Sequence, residues 1–421
     1  MAEIAELPEL SQDGQTLSLW MRWKYLLLKS TQFFSMQASR PRLPRITQGK
    51  NDLLISTTGQ QYIDLFSANG SVWLGHCHPA VVERVREQLD NIWLTGALGT
   101  PIHDQALQLL STFFPQSHRV CGIYSTGMEA AEFAIRVARA STQRNGLVGF
   151  EGCMHGKSVA TACLGWNNHN QVEIPFIHRL PFVSHCQEAE IMQQLEAVLK
   201  QRAIAAVLIE PFQASGGGHR ASDNFYQTLY YLCQQYQTLL IFDEILTGFY
   251  RLGASFFFSR LGFVPDIILI GKSIANGFPA SAVVVNRQYP INPKMLPGST
   301  FSDNPLAAAA IVATLGQMKS QDILAKVELI HRLITESLQD LTGIGVAVRG
   351  QGTLWVLELP EHLDVEAIIG NIYQRGVIVN YTRNLIRLLP AVTIELQRLE
   401  TACAIVLDEL KKASRQVRTS A

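Results

Sequence analysis

The sequence predicts an α/β fold with a large, mostly parallel sheet and a smaller α+β domain. Three short apolar runs end directly before Glu210, Asp243 and Lys272. Unbroken apolar runs are typical of parallel strands buried on both faces, and ligands of such sheets bind at the carboxyl ends of the strands. We therefore expect these three charged side chains at one edge of the sheet.

A lysine directly after a buried strand requires a specific explanation. Burial lowers the pKa of a lysine toward the neutral, nucleophilic amine that forms Schiff bases, whereas the alternative is a strand-end lysine whose amine reaches water. Asp243 decides between these interpretations of Lys272. A lysine for an aldehyde cofactor and an aspartate for a pyridinium nitrogen are the two groups that pyridoxal phosphate chemistry most needs.

A hydroxyl-rich glycine turn at residues 124–127 predicts the third requirement, a phosphate site. It opens an amphipathic helix, and Thr126 and Glu129 have the spacing of a capping box. The free N–H groups and the positive dipole end of such a helix attract phosphate. Most caps of this kind are only structural, so the turn assigns a ligand only together with Lys272 and Asp243.

Further motifs follow the order of a known family. They are residues 62–65, 74–79, 125–129, 154–157, 210–211, 243–249, 271–272, 298–301, 304–306, 349–350 and 386–390. In this order they resemble the class III pyridoxal-phosphate-dependent aminotransferases of fold type I, the aspartate aminotransferase-like fold. The resemblance extends from about Arg45 over nearly the whole chain. It implies a transferase that moves an amino group from an amino donor to an oxo acceptor by a ping-pong aldimine mechanism.

The resemblance also implies roles around the cofactor, pyridoxal 5′-phosphate. Lys272 holds the cofactor as a Schiff base and then moves the proton between the substrate carbon and the cofactor. Asp243 pairs with the pyridinium nitrogen, and Ile245 packs on one ring face. Met154 stands where family members commonly have Tyr, Phe or Trp on the ring. A thioether contact is less shape-specific than stacking, so we expect a looser or reshaped ring pocket.

The phosphate of the cofactor has its own set of residues in the family. The resemblance implies that Thr126, Gly127 and the Met128 backbone bind it. Thr300 completes the set from the neighbouring subunit. This last role implies a homodimer with shared active sites.

Four residues are candidates for substrate binding. Arg387 matches the arginine that many members use for the substrate carboxylate, a task suited to a planar guanidinium. Lys157 stands where members that use glutamate and ω-amino acids often have arginine. Ser215 replaces the glutamate that pairs with the carboxylate-binding arginine in those members. Asn69 occupies a pocket position that is apolar in aminobutyrate-type members and glutamine in decarboxylating ones, although a turn residue beside Gly70 is an equally good interpretation.

These departures leave the substrates and the reaction type open. The neutral pocket favours a specialised oxo substrate over the glutamate and ornithine pair. One alternative is another enzyme on the same scaffold: a decarboxylation-coupled transaminase like dialkylglycine decarboxylase, an aminomutase or an epimerase. A second is a non-catalytic protein of this fold, against which the presence of both Lys272 and Asp243 argues, because buried charges are costly without a partner.

Composition excludes several other classes of function. Lys and Arg total 35, as do Asp and Glu, so no net charge attracts nucleic acid or an acidic membrane. The seven cysteines form no CxxC pair and indicate a reduced compartment. His76, His78 and His155 lack the spacing of a metal site and are interpreted as turn and helix-cap groups, so we expect no metal.

The chain is expected to be a cytoplasmic protein, because it shows no signal peptide and no apolar stretch of membrane-spanning length. Residues 16–36 have the pattern of an amphipathic helix, which could bind a membrane surface or a partner. The family resemblance instead implies an arm that packs across a dimer near the active-site entrance. The predicted domains are an N-terminal arm and helix at 1–55, a connector with the first part of the small domain at 56–78, a large cofactor-binding domain at 79–318 and a C-terminal small domain at 319–421. The active site is expected between domains and between subunits.

Overall fold

The computed structural model describes residues 44–96, 98–166, 174–291 and 298–420. The predicted helix at 16–36 lies outside these residues. The strands are β1 (Ile46–Lys50), β2 (Leu53–Ser56), β3 (Gln61–Asp64), β4 (His118–Tyr124), β5 (Gly146–Phe150), β6 (Ile177–Leu180), β7 (Ile204–Ile209), β8 (Leu239–Asp243), β9 (Ile267–Gly271), β10 (Ser281–Asn286), β11 (Ala347–Gln351), β12 (Leu354–Glu358), β13 (Val377–Ile378), β14 (Asn380–Thr382) and β15 (Leu385–Leu388).

The helices alternate with these strands through most of the described chain. They are α1 (Pro79–Leu89), α2 (Pro101–Ser111), α3 (Gly127–Thr142), α4 (Val159–Cys163), α5 (Glu188–Leu199), α6 (Asp223–Gln235), α7 (Pro305–Ser320), α8 (Ile323–Leu338), α9 (Val365–Gln374) and α10 (Leu396–Ser420). Short 3₁₀ helices occur at Phe257–Arg260, Lys272–Ala275 and Gln339–Ile344. No helix among the described residues is long and apolar enough to cross a membrane.

A seven-stranded sheet of order β4-β10-β9-β8-β7-β5-β6 forms the centre of the described chain. Strand β10 is antiparallel to both of its neighbours, and the strands from β9 to β6 pair in parallel. The three apolar runs of the sequence form β7, β8 and β9, and every residue of these strands is buried. The predicted α/β class with a mostly parallel sheet is therefore confirmed.

Because these strands run in parallel, the residues that follow them meet at one edge of the sheet. Glu210 follows β7, Asp243 ends β8, and Lys272 follows β9. The turn before α3 and the loop at 151–156 lie at the ends of β4 and β5. Helix α7 packs against α1, α2 and the 3₁₀ helix that begins at Lys272. The fold therefore collects the predicted chemistry at a single edge.

Two four-stranded sheets, of order β1-β2-β3-β13 and β11-β12-β15-β14, come from the remaining chain. Arg251, after β8, joins both ends of the described chain through its fully buried guanidinium. It donates hydrogen bonds to the backbone oxygens of Gly70 at 2.7 Å and Pro390 at 3.1 Å, and it lies 4.1 Å from the ring centre of Trp73. Burial lowers the pKa of Arg251 to about 9. These contacts fix the segment before Ser71 against the large sheet.

Candidate active site

A cavity of about 290 Å³ lies among the residues that follow the strands of the large sheet. Its lining consists of Ser71, Ser125, Gly127, Met128, Met154, His155, Gly156, Ile245, Lys272, Gly277, Phe278, Pro279 and Ala280. Five of the residues that the sequence assigned to the cofactor are in this group. The same lining includes side chains that the sequence did not indicate, among them His155 and Phe278. We call this space the Lys272 cavity.

Lys272 begins a 3₁₀ helix with a backbone φ of +45°. Residues other than glycine rarely adopt this left-handed region, at a cost of about 1–3 kcal/mol, and such strain is concentrated at functional sites. Burial lowers the pKa of Lys272, whereas the charges of Asp243 and Glu210 raise it. Its amine donates no hydrogen bond to any residue that the structure describes. Burial thus favours the neutral, nucleophilic form of the amine.

Asp243 lies behind the cavity lining and is bonded on both oxygens. Its Oδ2 is 2.8 Å from Nδ1 of His155, and its Oδ1 accepts a hydrogen bond from the backbone N–H of Ile245 at 3.1 Å. His155 is buried, and its Nε2 has no hydrogen-bond partner among the described residues. Of the three histidines interpreted as turn and helix-cap groups, His78 occupies the N-cap position of α1, whereas His155 binds Asp243 and Ser158 caps the helix that follows it. Nothing local in the sequence indicated the bond to Asp243.

His76, interpreted from the sequence as a turn residue, also binds a buried carboxylate. Its Nε2 lies 2.7 Å from Oδ2 of Asp64, a buried carboxylate that also accepts hydrogen bonds from the backbone of Phe66 and Ser67. His76 therefore anchors the turn that leads into the cavity rather than only occupying it. No group of His, Cys, Asp or Glu side chains suited to a metal ion occurs in the parts of the chain that the structure describes.

Glu210 is the second carboxyl group in this buried region. Its Oε2 accepts a hydrogen bond from the backbone N–H of Met154 at 2.7 Å. Burial, and then the charge of Asp243, raise the pKa of Glu210 to about 8, against the opposing charges of Lys272 and Arg387. Glu210 therefore fixes the loop that carries Met154 and His155. The charges of Asp243 and Arg387 act on the pKa of Glu210 as they do on that of Lys272.

The predicted capping box at the start of α3 is present. The Thr126 hydroxyl accepts a hydrogen bond from the Glu129 N–H at 3.2 Å, and the Glu129 carboxylate accepts from the N–H groups of Ser125 at 3.0 Å and Thr126 at 2.9 Å. The N–H groups of Gly127 and Met128, in the first turn, have no acceptor within the helix. A Cβ at Gly127 would lie 2.7 Å from Cδ1 of Ile245. Because the helix gives the N–H groups of Gly127 and Met128 no acceptor, they are available to an anion.

The candidate substrate residues form a separate hydrogen-bonded group. Arg387, in β15, donates from Nη1 to the Ser215 hydroxyl at 2.9 Å and from Nε to Oδ1 of Asn380 at 3.1 Å. Its Nη2 donates to the same Asn380 oxygen. The amide of Asn380 donates in turn to Oδ1 of Asn69 at 3.1 Å. We call Asn69, Asn380, Arg387 and Ser215 the Arg387 network. Asn380 is its one member that the sequence did not indicate.

Lys157 and Thr300 lie apart from both groups. Each side chain is exposed, and neither lines the Lys272 cavity. Thr300 belongs to the turn before α7, and its phosphate role depends on a second subunit. The roles assigned to these two residues stay predictions.

Comparison with known proteins identifies the family. The sequence model described as Aminotransferase class-III matches residues 35–410. The chain belongs to the class III aminotransferases. A 2-aminoadipate transaminase of Pseudomonas putida is 33% identical over 393 residues, which cover 86% of this chain and 94% of that protein. An acetylornithine aminotransferase of Halalkalibacterium halodurans is 32% identical over 376 residues, with 88% of this chain and 96% of that protein covered.

The fold has a counterpart among solved structures. The ornithine aminotransferase from Toxoplasma gondii superposes with a TM-score of 0.81 and 24% identity, covering 96% of this chain and 99% of that chain. This likeness confirms the predicted fold type I. Family and fold together confirm that the chain is an aminotransferase, an enzyme that transfers an amino group from a donor to an oxo acceptor.

Proposed function

We propose that this aminotransferase uses pyridoxal 5′-phosphate in the Lys272 cavity. The observation that carries the proposal is that Lys272, Ile245 and the Gly127 turn share one cavity, with the His155 and Asp243 pair at its rear. The ornithine aminotransferase structure of the same fold is described as having partial occupancy of this cofactor at its active site. That description supports the same cofactor in this chain.

The residues of the cavity fit the chemistry of this group. Lys272 is the amine that would hold it, and the N–H groups of Gly127 and Met128 would receive its phosphate. Glycine at position 127 lets Ile245 pack against this turn, because a Cβ there would lie 2.7 Å from Cδ1 of Ile245. When bound, the cofactor supplies an aldehyde for amine exchange and a ring that accepts electrons.

The side chains of the protein then have distinct tasks. Lys272 Nζ, with its pKa lowered by burial, accepts the proton from the substrate carbon and returns it during the exchange. The Asp243 carboxylate would keep a ring nitrogen protonated, and the hydrogen bonds from His155 and the Ile245 backbone fix its position. Ile245 and Met154 would enclose the ring and limit the access of water.

We infer that the amino donor or oxo acceptor carries a carboxylate that binds Arg387. Arg387 is 7% exposed, and no carboxylate forms an ion pair with it among the described residues. Asn69 and Ser215 would orient the bound carboxylate as members of the same network. The neutral surroundings favour a specialised oxo substrate over the glutamate and ornithine pair.

We further propose that the enzyme acts as a homodimer with shared active sites. Trp93, Leu98 and Phe301 are 62%, 74% and 59% exposed, which is unusual for side chains of this size. Phe301 is the neighbour of Thr300, the residue assigned to the cofactor phosphate of the partner subunit. Burial of Phe301 against a second copy would bring the adjacent Thr300 to that phosphate.

An absorbance titration tests the proposed function. The protein is loaded with pyridoxal 5′-phosphate and titrated with glutamate, alanine, a simple primary amine and an α,α-dialkyl amino acid. We expect one donor to convert the cofactor to its amino form and an oxo acid to reverse the change. Release of carbon dioxide would indicate the decarboxylation-coupled reaction instead. A protein that retains no cofactor, or whose spectrum no donor changes, would overturn the proposal.

A further inference from the structure

The Arg387 guanidinium is almost fully buried, yet all its hydrogen-bond partners are neutral. Three of its five N–H groups donate hydrogen bonds to Asn380 and Ser215. One N–H on Nη1 and one on Nη2 therefore remain without an acceptor among the described residues. These two N–H groups are available to the oxygens of a carboxylate. Burial lowers the pKa of Arg387 because no ion pair within the described chain compensates the charge.

The nearest acidic group that acts on Arg387 does not fill this place. Glu210 raises the pKa of Arg387 through space, but its Oε2 is occupied by the backbone N–H of Met154. No ion pair connects Glu210 with Arg387 in the described structure. Among the described residues the buried positive charge has no ion-pair partner, which favours an anionic ligand beside it.

Asn380 is the residue that keeps this charge available. Its amide nitrogen donates to Oδ1 of Asn69, so its oxygen is directed at Arg387. Asn69 has a left-handed backbone, with φ of +59°, in a turn where Ser67, Ala68 and Gly70 also have positive φ. Asparagine tolerates this conformation better than most residues. The turn therefore fixes the orientation of Asn380, and Asn380 fixes the orientation of the guanidinium.

We propose that Asn380 is a specificity-determining residue that aligns Arg387 through a neutral contact, so that both the amino donor and the oxo acceptor must carry a carboxylate. This inference rests on the proposed function and defines its substrate class. With an asparagine at this place, no internal carboxylate can replace that of the substrate. A simple amine or aldehyde has no carboxylate, so its binding would leave the Arg387 cation buried and uncompensated in either half of the reaction. An aspartate at position 380 would supply the missing charge and remove the discrimination.

The test uses two variants with different expected effects. Asn380→Asp places a negative charge against Arg387 without changing the size of the side chain. Asn380→Ala removes the alignment but leaves the charge uncompensated. Asn384→Asp is the matched control, because its amide, on the same hairpin, donates to the Leu359 oxygen at 2.8 Å rather than to Arg387. Melting temperatures establish that each variant is folded.

The first measurement is ligand binding to the cofactor-loaded protein by calorimetry, with propionate and its uncharged counterpart propionamide as probes. We expect the wild type to bind propionate at least about tenfold more tightly than propionamide. Asn380→Asp should abolish this preference. Asn380→Ala should weaken the binding of propionate and keep the preference, and Asn384→Asp should behave as the wild type.

The second measurement compares alanine with ethylamine as donors, since the two differ by the carboxylate. In Asn380→Asp we expect KM for alanine to rise at least about tenfold with kcat nearly unchanged. KM for ethylamine should fall, because the aspartate compensates the cation that ethylamine leaves without a partner. A wild-type preference that persists in Asn380→Asp would overturn the inference. An equal loss of the preference in Asn380→Ala and Asn380→Asp would also overturn the inference. It would show that Asn380 only aligns Arg387 and that the charge at position 380 has no effect on the choice of substrate.

The two measurements also separate this inference from the proposed function. Binding of propionate requires no transfer of an amino group. If no donor changes the absorbance but propionate binds with the expected pattern, the proposed function fails and the role of Asn380 holds. If donors react while the wild type does not distinguish propionate from propionamide, the role of Asn380 fails and the aminotransferase with its cofactor stands.

Discussion

The Lys272 cavity and the Arg387 network are assembled in different ways. Lys272, Asp243 and Glu210 each stand directly after or at the end of one strand of the same parallel sheet, so the strand order alone brings them together. The network instead joins residues that are far apart along the chain, with Asn69 and Asn380 separated by 311 positions and Ser215 and Arg387 by 172. The comparison teaches that the reacting groups follow from local sequence, while the selection of substrate depends on contacts between distant segments.

The largest expected effect comes from breaking the cavity. Lys272→Ala removes the group that holds the cofactor and moves the proton, and each of these tasks contributes strongly to catalysis. We expect the rate of amino transfer to fall by about a thousandfold or more, measured in single turnovers, with some cofactor retained through its phosphate. Lys200→Ala, at an exposed lysine on a helix end, is the control and should leave the rate unchanged. A Lys272→Ala variant that reacts at nearly the wild-type rate would contradict the mechanism.

Removing Arg387 from the network should lower the activity toward donors with a carboxylate and leave the activity toward simple amines nearly unchanged. Arg387→Ala removes a buried positive charge that would bind the substrate carboxylate, and the loss of one partner of such a pair costs roughly 2–5 kcal/mol. We expect kcat/KM for alanine to fall by about 30-fold or more, with little change for ethylamine. Arg387→Lys should recover only part of the loss, because an ammonium lacks the planar fork of N–H groups of a guanidinium. Equal losses for both donors would remove the assigned role.

His155 lines the Lys272 cavity, but its bond to Asp243 joins segments that are far apart along the chain, as in the Arg387 network. His155→Ala would leave the buried Asp243 oxygen without its hydrogen bond, at a cost of about 1–3 kcal/mol, or roughly 5- to 150-fold in kcat. His155→Asn retains a short donor and should recover part of the rate. The measurement is kcat together with the affinity for the cofactor. If both variants match the wild type, the bond to Asp243 has no role in the reaction.

Glu210 predicts a smaller effect, on stability rather than on rate. Its pKa is about 8 in the folded protein and 4.5 in an unfolded chain, so the folded protein keeps a proton that the unfolded chain loses. Stability therefore falls as the pH rises from about 4.5 to about 8. Glu210→Gln cannot ionise, so we expect it to gain up to a few kcal/mol relative to the wild type across this range.

Chemical denaturation of the cofactor-free protein at several pH values checks this expectation. Glu361→Gln, at an exposed carboxylate, is the matched control and should show a constant difference from the wild type. A constant difference for Glu210→Gln as well would show that Glu210 ionises equally in the folded and unfolded states.

The Lys272 cavity shows how much of the site could be predicted from sequence. In the sequence, an apolar run predicts a buried parallel strand and a capping box predicts the start of a helix. Both patterns depend only on residues that are neighbours along the chain. The fold class and Lys272, Ile245, Gly127 and Met128 followed from such patterns and from the family resemblance. The hydroxyl of Thr126 takes part in the cap, and its role toward the phosphate stays a prediction.

The sequence by itself determined the family through its ordered motifs. It also determined which residues meet at the ends of the strands, because a parallel sheet places successive strand ends side by side. Only the tertiary structure decided the partners of those residues. The bond of His155 to Asp243 and the contact of Asn380 with Arg387 join segments that no local pattern relates. Hydrogen-bond partners depend on distances between side chains, and these distances exist only after the segments have packed.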